Sequence, residues 1–169
     1  MADLTKLDIG RCTVTCDSVD LGETDGGVKV SIKKNVEGQT VDRFGKTPVL
    51  FINNGDILTI EANIAEFTIA NLAIALGATI QDGTIGDKLV LGSQAGGALA
   101  SHALTLHPVS MGAATDKDWV IYKAVVVGDI DVEYTQDKKK VLKITFQAIP
   151  DDTKTDGNKL CHFGVTTIS

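Results

Sequence analysis

Aromatic residues, proline and cysteine are all scarce in this chain: aromatics make up 5% of its 169 residues, and prolines and cysteines number three each. An odd cysteine count leaves one thiol unpaired under any disulfide scheme, which points to a reducing compartment. Cys12 and Cys16 would share one face of a strand at a separation of roughly 13 Å, beyond disulfide reach, and read as small buried hydrophobes. A basic excess is missing as well. The net charge of −6 disfavours a sequence-independent grip on nucleic acid, which needs clustered Lys and Arg to displace counterions. No window approaches the ~18 uninterrupted apolar residues of a membrane span, and MADLTKLDIG lacks the basic-then-apolar order of a secretory signal. The expectation is a soluble protein, not exported by a cleaved signal and without a membrane partner.

Catalytic signatures are missing too. The chain holds no GxSxG, HExxH, CxxC or phosphate-binding glycine loop with its lysine. GSQAGGA lacks the flanking strand, helix and lysine of a phosphate cradle and reads as a loop. His102, His107 and His162 show no catalytic spacing, and the neighbours Cys161 and His162 would point to opposite faces of a strand. Asp129, Asp131 and Glu133 in DIDVEY sit at strand spacing, about 7 Å per step. That spacing suits cross-strand pairing with Lys139, Lys140 and Lys143 better than wrapping an ion. The reading is therefore no enzyme, no cofactor and no metal.

What is present is alternation. With 43% apolar and 22% charged residues, the composition is that of one ordinary globular domain spanning 1–169. Val28, Val30 and Ile32 alternate with Lys29, Ser31 and Lys33, the pattern of a half-buried strand. TPVLFI and ILTIEANI flank NNGD, which predicts a hairpin turn at Asn53–Asp56. Thr68 as N-cap and Gly77 as C-terminal cap predict one helix over about 68–76, with Ile69, Leu72, Ala73 and Leu76 as its apolar stripe. The Gly-rich stretch 78–100 reads as loops around a short KLVLG strand. Further strands are expected in HALTLHPV, WVIYKAVVVG with Trp119 as a core anchor, a DIDVEY/KKVLKITFQAI pair, and LCHFGVTTI. About nine strands and one helix predict a mainly β fold, an antiparallel sandwich or barrel.

One segment resists burial. From about Val36 to Thr47 the chain is a polar arm between strands, with Phe44 an isolated aromatic on it. Such a residue either lids its own core or anchors a neighbouring subunit, and the second reading is the favoured one.

The order VDLGETDGGVKVSIKKN, VDRFGKTPV and NGDILTIEANIAEFTIANLAIALG resembles the tail tube (major tail) proteins of long-tailed bacteriophages. The matching positions are Leu21, Gly22, Gly26, Gly27 and Val28, then Asp42, Gly45, Thr47 and Pro48, then Glu66, Thr68, Asn71 and Leu72, within about residues 8–77. The resemblance implies subunits that close a β-barrel across a ring, typically hexameric, with rings stacking into a conduit for DNA. It implies an arm, with Val41, Asp42, Arg43, Phe44, Gly45, Thr47 and Pro48 as contacts, docking on an adjacent subunit or ring. Its implied partners are further copies of the chain, other tail proteins such as the tape measure and tail terminator, and viral DNA passing without specific binding. The implied location is the virion tail, assembled in the bacterial cytoplasm. Thr59, Glu61 and Asn63, on the wet face of their strand, are the expected lumen residues. A tail terminator, a secretion-apparatus tube protein and a monomeric immunoglobulin-like module are the alternatives.

Overall fold

The computed structural model describes residues 10–92, 96–130, 132 and 139–165. In chain order the strands are β1 (Cys12–Cys16), β2 (Val19–Asp20), β3 (Thr24–Thr40), β4 (Pro48–Ile64), β5 (Thr79–Gln81), β6 (Lys88–Val90), β7 (Ser101–Pro108), β8 (Trp119–Val126), β9 (Leu142–Ala148) and β10 (Cys161–Phe163), with one helix, α1 (Ile69–Leu76), after β4. The fold is mainly β and antiparallel. The main sheet runs β2-β1-β7-β8-β9-β4-β3, and β10 pairs with the first half of β8 while β9 pairs with its second half. β5 and β6 form a separate small hairpin within the Gly-rich stretch.

Alternation explains why this sheet curls. Val14 and Cys16 of β1, Leu58, Ile60, Ala62 and Ile64 of β4, Leu104 and Leu106 of β7, and Leu142, Ile144 and Phe146 of β9 are all buried in a single cluster. One sheet can feed one core from one face only by wrapping round it. The wrap brings β1 back towards β3, where Thr24 Oγ1 donates to the Cys12 carbonyl at 3.5 Å and Arg11 Nη1 pairs with the Glu23 carboxylate at 2.6 Å.

α1 forms where its caps place it. Thr68 Oγ1 accepts the Asn71 N–H at 3.1 Å, and Gly77, left-handed at φ 59°, ends the helix. The expected stripe needs correction. Asn71, Ala73 and Ala75 are buried, Leu72 and Leu76 half-buried, and Ile69 exposed. Asn71 is drawn inward because its Nδ2 donates at 2.9 Å to both the Leu21 and the Glu66 carbonyls, tethering the helix to the start of β3. Gly22, at φ 86°, lets the Glu66 carboxylate lie where a Cβ would clash, and Glu66 Oε1 accepts the Glu23 N–H at 3.1 Å.

Two further expectations change. NNGD is no hairpin turn: β4 runs straight through it. The register passes from Lys34↔Asp56 to Val36↔Asn53, so β4 carries one extra residue there, a β-bulge. Gly55 takes φ 112°, and its N–H bonds Asn53 Oδ1 at 3.1 Å, the local chemistry of a turn used to kink a strand. The lysine ladder expected along DIDVEY lies largely outside the described residues. Asp129 lies outside any strand, and Asp131 and Glu133 lie outside the described residues. Lys139 pairs instead with Asp25 at 3.0 Å, and Lys143 with Glu61 at 3.9 Å.

Candidate assembly arm

Past the bulge, β3 and β4 leave the body together. β9 accompanies β4 only from Thr59 to Ile64, so among the described residues the two strands pair from Val36 to Asn53 with each other alone. The arm is thus a two-stranded ribbon and not the polar loop expected from sequence. Its register is Val36↔Asn53, Glu37↔Ile52, Gly38↔Phe51, Gln39↔Leu50 and Thr40↔Pro48. The true hairpin turn lies at its tip, where a one-turn 3-10 helix, Asp42–Phe44, is closed by Phe44 N–H to the Val41 carbonyl at 2.9 Å.

The sequence-predicted contact residues therefore share one place. Val41, Asp42, Arg43, Phe44, Gly45, Thr47 and Pro48 cap the ribbon. Phe44 is 54% exposed, and the Arg43 guanidinium stands 5.5 Å over its ring. Sequence reasoning missed the ribbon's shaft. Val36, Val49, Leu50, Phe51 and Ile52 are all exposed, Phe51 at 66%. Both faces carry them: paired residues share a side, so Leu50 and Ile52 stand with Gln39 and Glu37, while Phe51 stands with Gly38 on the other. Gly38 leaves room for its neighbours there. A Cβ there would sit 3.1 Å from Pro48 Cβ and 3.3 Å from the Phe51 ring, which cross it. The available signal was VLFI itself, four apolar residues in a row where a half-buried strand would alternate.

At the arm's root the bulge opens a cleft of about 420 Å³ between Ile32, Leu58 and the 157–161 segment. Beyond it, β3 is the last strand of the main sheet, so its outer edge has no strand partner among the described residues. Unpaired edges and two-stranded ribbons are incomplete structures in water.

Thr59, Glu61 and Asn63 lie half-buried on the wet face of β4. There they sit between Ser31 and Lys29 of β3 and Gln147, Thr145 and Lys143 of β9. Glu61 faces Lys29 at 3.6 Å and Lys143 at 3.9 Å. This surface is charge-mixed and includes Lys33.

His107 and His162 are held by hydrogen bonds within the fold. His107 has Asp118 Oδ1 2.6 Å from Nδ1 and the Gly112 carbonyl 2.8 Å from Nε2. Two acceptors favour two N–H donors, so the ring's pKa is raised, first by the Asp118 hydrogen bond. His162 Nδ1 lies 3.0 Å from Tyr122 Oη, which donates to Asn158 Oδ1 at 2.9 Å. Trp119 is half-buried against the core, its ring 5.0 Å from that of Phe163. Cys12, Cys16 and Cys161 are free thiols, all raised in pKa by burial, Cys12 to about 11 and Cys16 to about 12. Neutral thiols of this kind are poor nucleophiles. No helix among the described residues is long and apolar enough to cross a membrane. Neither the protein-family models nor the curated proteins contain a match to this chain.

Proposed function

We propose that this chain is a structural subunit that polymerises through its arm, in the manner of the phage tail tube proteins it resembles, into stacked rings that form a conduit for DNA. The observation that carries the reading is the ribbon from Val36 to Asn53, which projects with apolar side chains on both faces and no cover from its own described chain. Exposed apolar area of this kind marks an interaction surface. A two-stranded ribbon gains order when a neighbour packs on it. A head-to-tail contact between arm and neighbouring body is heterologous. It closes into a ring if its rotation closes, and a second such contact between faces builds a filament. The edge of β3 gives the lateral counterpart, since strand addition from the next copy would complete its hydrogen bonds. On this reading the tape measure and tail terminator are partners at the ends of the tube, and the location is the virion tail.

Negative-stain electron microscopy of the purified protein tests the proposal, with the Leu50→Ser/Phe51→Ser/Ile52→Ser variant beside it. The expected result is long hollow tubes from the parent and folded monomers from the variant. Single rings without stacking would favour a terminator-like role. A parent that stays monomeric at every concentration, or a variant that builds tubes of normal length, overturns the reading.

A further inference from the structure

A cluster that the assembly reading does not use lies at the β1–β2 hairpin. β1 ends at Cys16, and the two-residue turn Asp17–Ser18 returns the chain to Val19. Both turn residues are left-handed, with φ 48° and 70°, as the tight type I′ hairpin turn requires. The turn folds Asp17 back on β7. Its Oδ1 accepts the Ala103 N–H at 2.8 Å, which leaves Oδ2 aimed at His102 Nδ1, 2.7 Å away. Beneath them the Cys16 side chain is buried in the core. The Cys16 sulfur, an Asp17 carboxylate oxygen and a His102 ring nitrogen all lie within 4.8 Å of one another.

A second feature adjoins this cluster. His102 forms part of the wall of a cavity of about 540 Å³ under α1, lined mainly by Val19, Ala73, Ile74, Ala78 and Ile80. His102 is the titratable group in that wall and the one member of the cluster that lines it.

We infer that Cys16, Asp17 and His102 form a binding site for a divalent metal of the zinc type, with a fourth coordination position facing the apolar cavity. Zinc bonds of about 2.3 Å to sulfur and about 2.0–2.2 Å to nitrogen and oxygen, set tetrahedrally, hold ligand atoms about 3.4–3.6 Å apart. The cluster reaches that spacing by drawing the sulfur inward about 1 Å and opening the imidazole–carboxylate pair by rather less. Thiolate and imidazole donors select zinc, cobalt or a similar ion over calcium and magnesium, which take oxygen. One thiolate and one carboxylate balance the ion's two charges. The Ala103 N–H on Oδ1 orients the carboxylate from outside the ligand set. On binding, the metal–sulfur bond replaces the S–H bond and that proton leaves to solvent. The imidazole ligates neutral through Nδ1, which exchanges its proton by way of solvent for one on Nε2, and the Asp17–His102 hydrogen bond is given up.

Cobalt(II) titration of the full-length protein under reducing conditions tests the inference. Expected are a thiolate-to-cobalt charge-transfer band and the intense visible bands of a tetrahedral site, saturating at one ion per chain. Asp17→Asn and His102→Gln, both at partly exposed positions, should each weaken cobalt binding at least about tenfold. Cys12→Ser and Cys161→Ser should leave the spectrum unchanged. Cys16→Ala should abolish the thiolate band, with circular dichroism confirming that the variant folds. Competition by zinc but not magnesium completes the assignment. The inference fails if no thiolate band forms at any cobalt concentration, or if affinity is unmoved by both Asp17→Asn and His102→Gln.

Discussion

β3 and β4 each live two lives. Between Thr24 and Lys34, and between Ile57 and Ile64, they are walls of the body, and the inward side chains Leu58, Ile60, Ala62 and Ile64 vanish from solvent. Beyond the bulge at Asn54–Gly55 the same strands keep their ladder of hydrogen bonds yet have no covering element among the described residues, and their apolar residues are exposed. Backbone pairing is common to both halves, so pairing alone does not explain the difference. What distinguishes them is whether the rest of the chain supplies a second layer. On the proposed reading, a strand face rich in Leu, Phe and Ile with no such layer is half of a contact.

The comparison yields predictions that can break it. Ile60→Ala and Ile52→Ala remove the same atoms eight positions apart on one strand. Ile60→Ala should cost about 2–5 kcal/mol of monomer stability, the range for a buried isoleucine that leaves a cavity. Ile52→Ala should change it by no more than about 0.5 kcal/mol. Urea midpoints of the two proteins, measured on unassembled chains, check this. Equal losses would mean that the arm is covered in solution by its own chain.

Thr68→Ala should fall between these values. Loss of the side-chain acceptor for the Asn71 N–H should cost about 1 kcal/mol, read in the same denaturation experiment. The effect should be smaller if Asn71, held separately by the Leu21 and Glu66 carbonyls, keeps the first turn in place.

A smaller effect is expected from pH at His107, which ties the 109–118 segment to the body and not to the arm. Its pKa is raised in the folded chain above the ordinary 6.5. The stabilisation is therefore fully present below that value and declines as pH rises through the raised folded pKa. Melting temperature followed from slightly acidic to alkaline pH should show this decline in the parent and a flatter profile in His107→Gln. An equal slope in both would remove His107 as the source.

Much of the body was legible beforehand because burial imposes a period. The alternation of Val28 and Val30, the strands at Ser101–Pro108, Trp119–Val126 and Leu142–Ala148, and the Thr68 and Gly77 caps all follow from side chains that must choose between core and water, although Ile32, expected on the same buried face, is 50% exposed. The arm was only half legible. Its tip residues were visible as an isolated Phe44 among turn formers. Its shaft was hidden because VLFI satisfies a strand pattern whether or not anything covers it, and NNG satisfies a turn pattern as readily as a bulge. The β5 strand at Thr79–Gln81 carried too little apolar signal to stand out from the Gly-rich text around it.

By itself, then, the order of residues determined which segments extend, where the one helix starts and stops, and which faces seek burial, since those depend on near neighbours in the chain. Tertiary structure alone decided that Asn53–Asp56 bulges rather than turns, that Leu50, Phe51 and Ile52 remain in solvent, and that Cys16, Asp17 and His102 meet. Each of those outcomes depends on which distant strand lies alongside. That choice is settled by the closing of the whole sheet around its core, and no local window contains it.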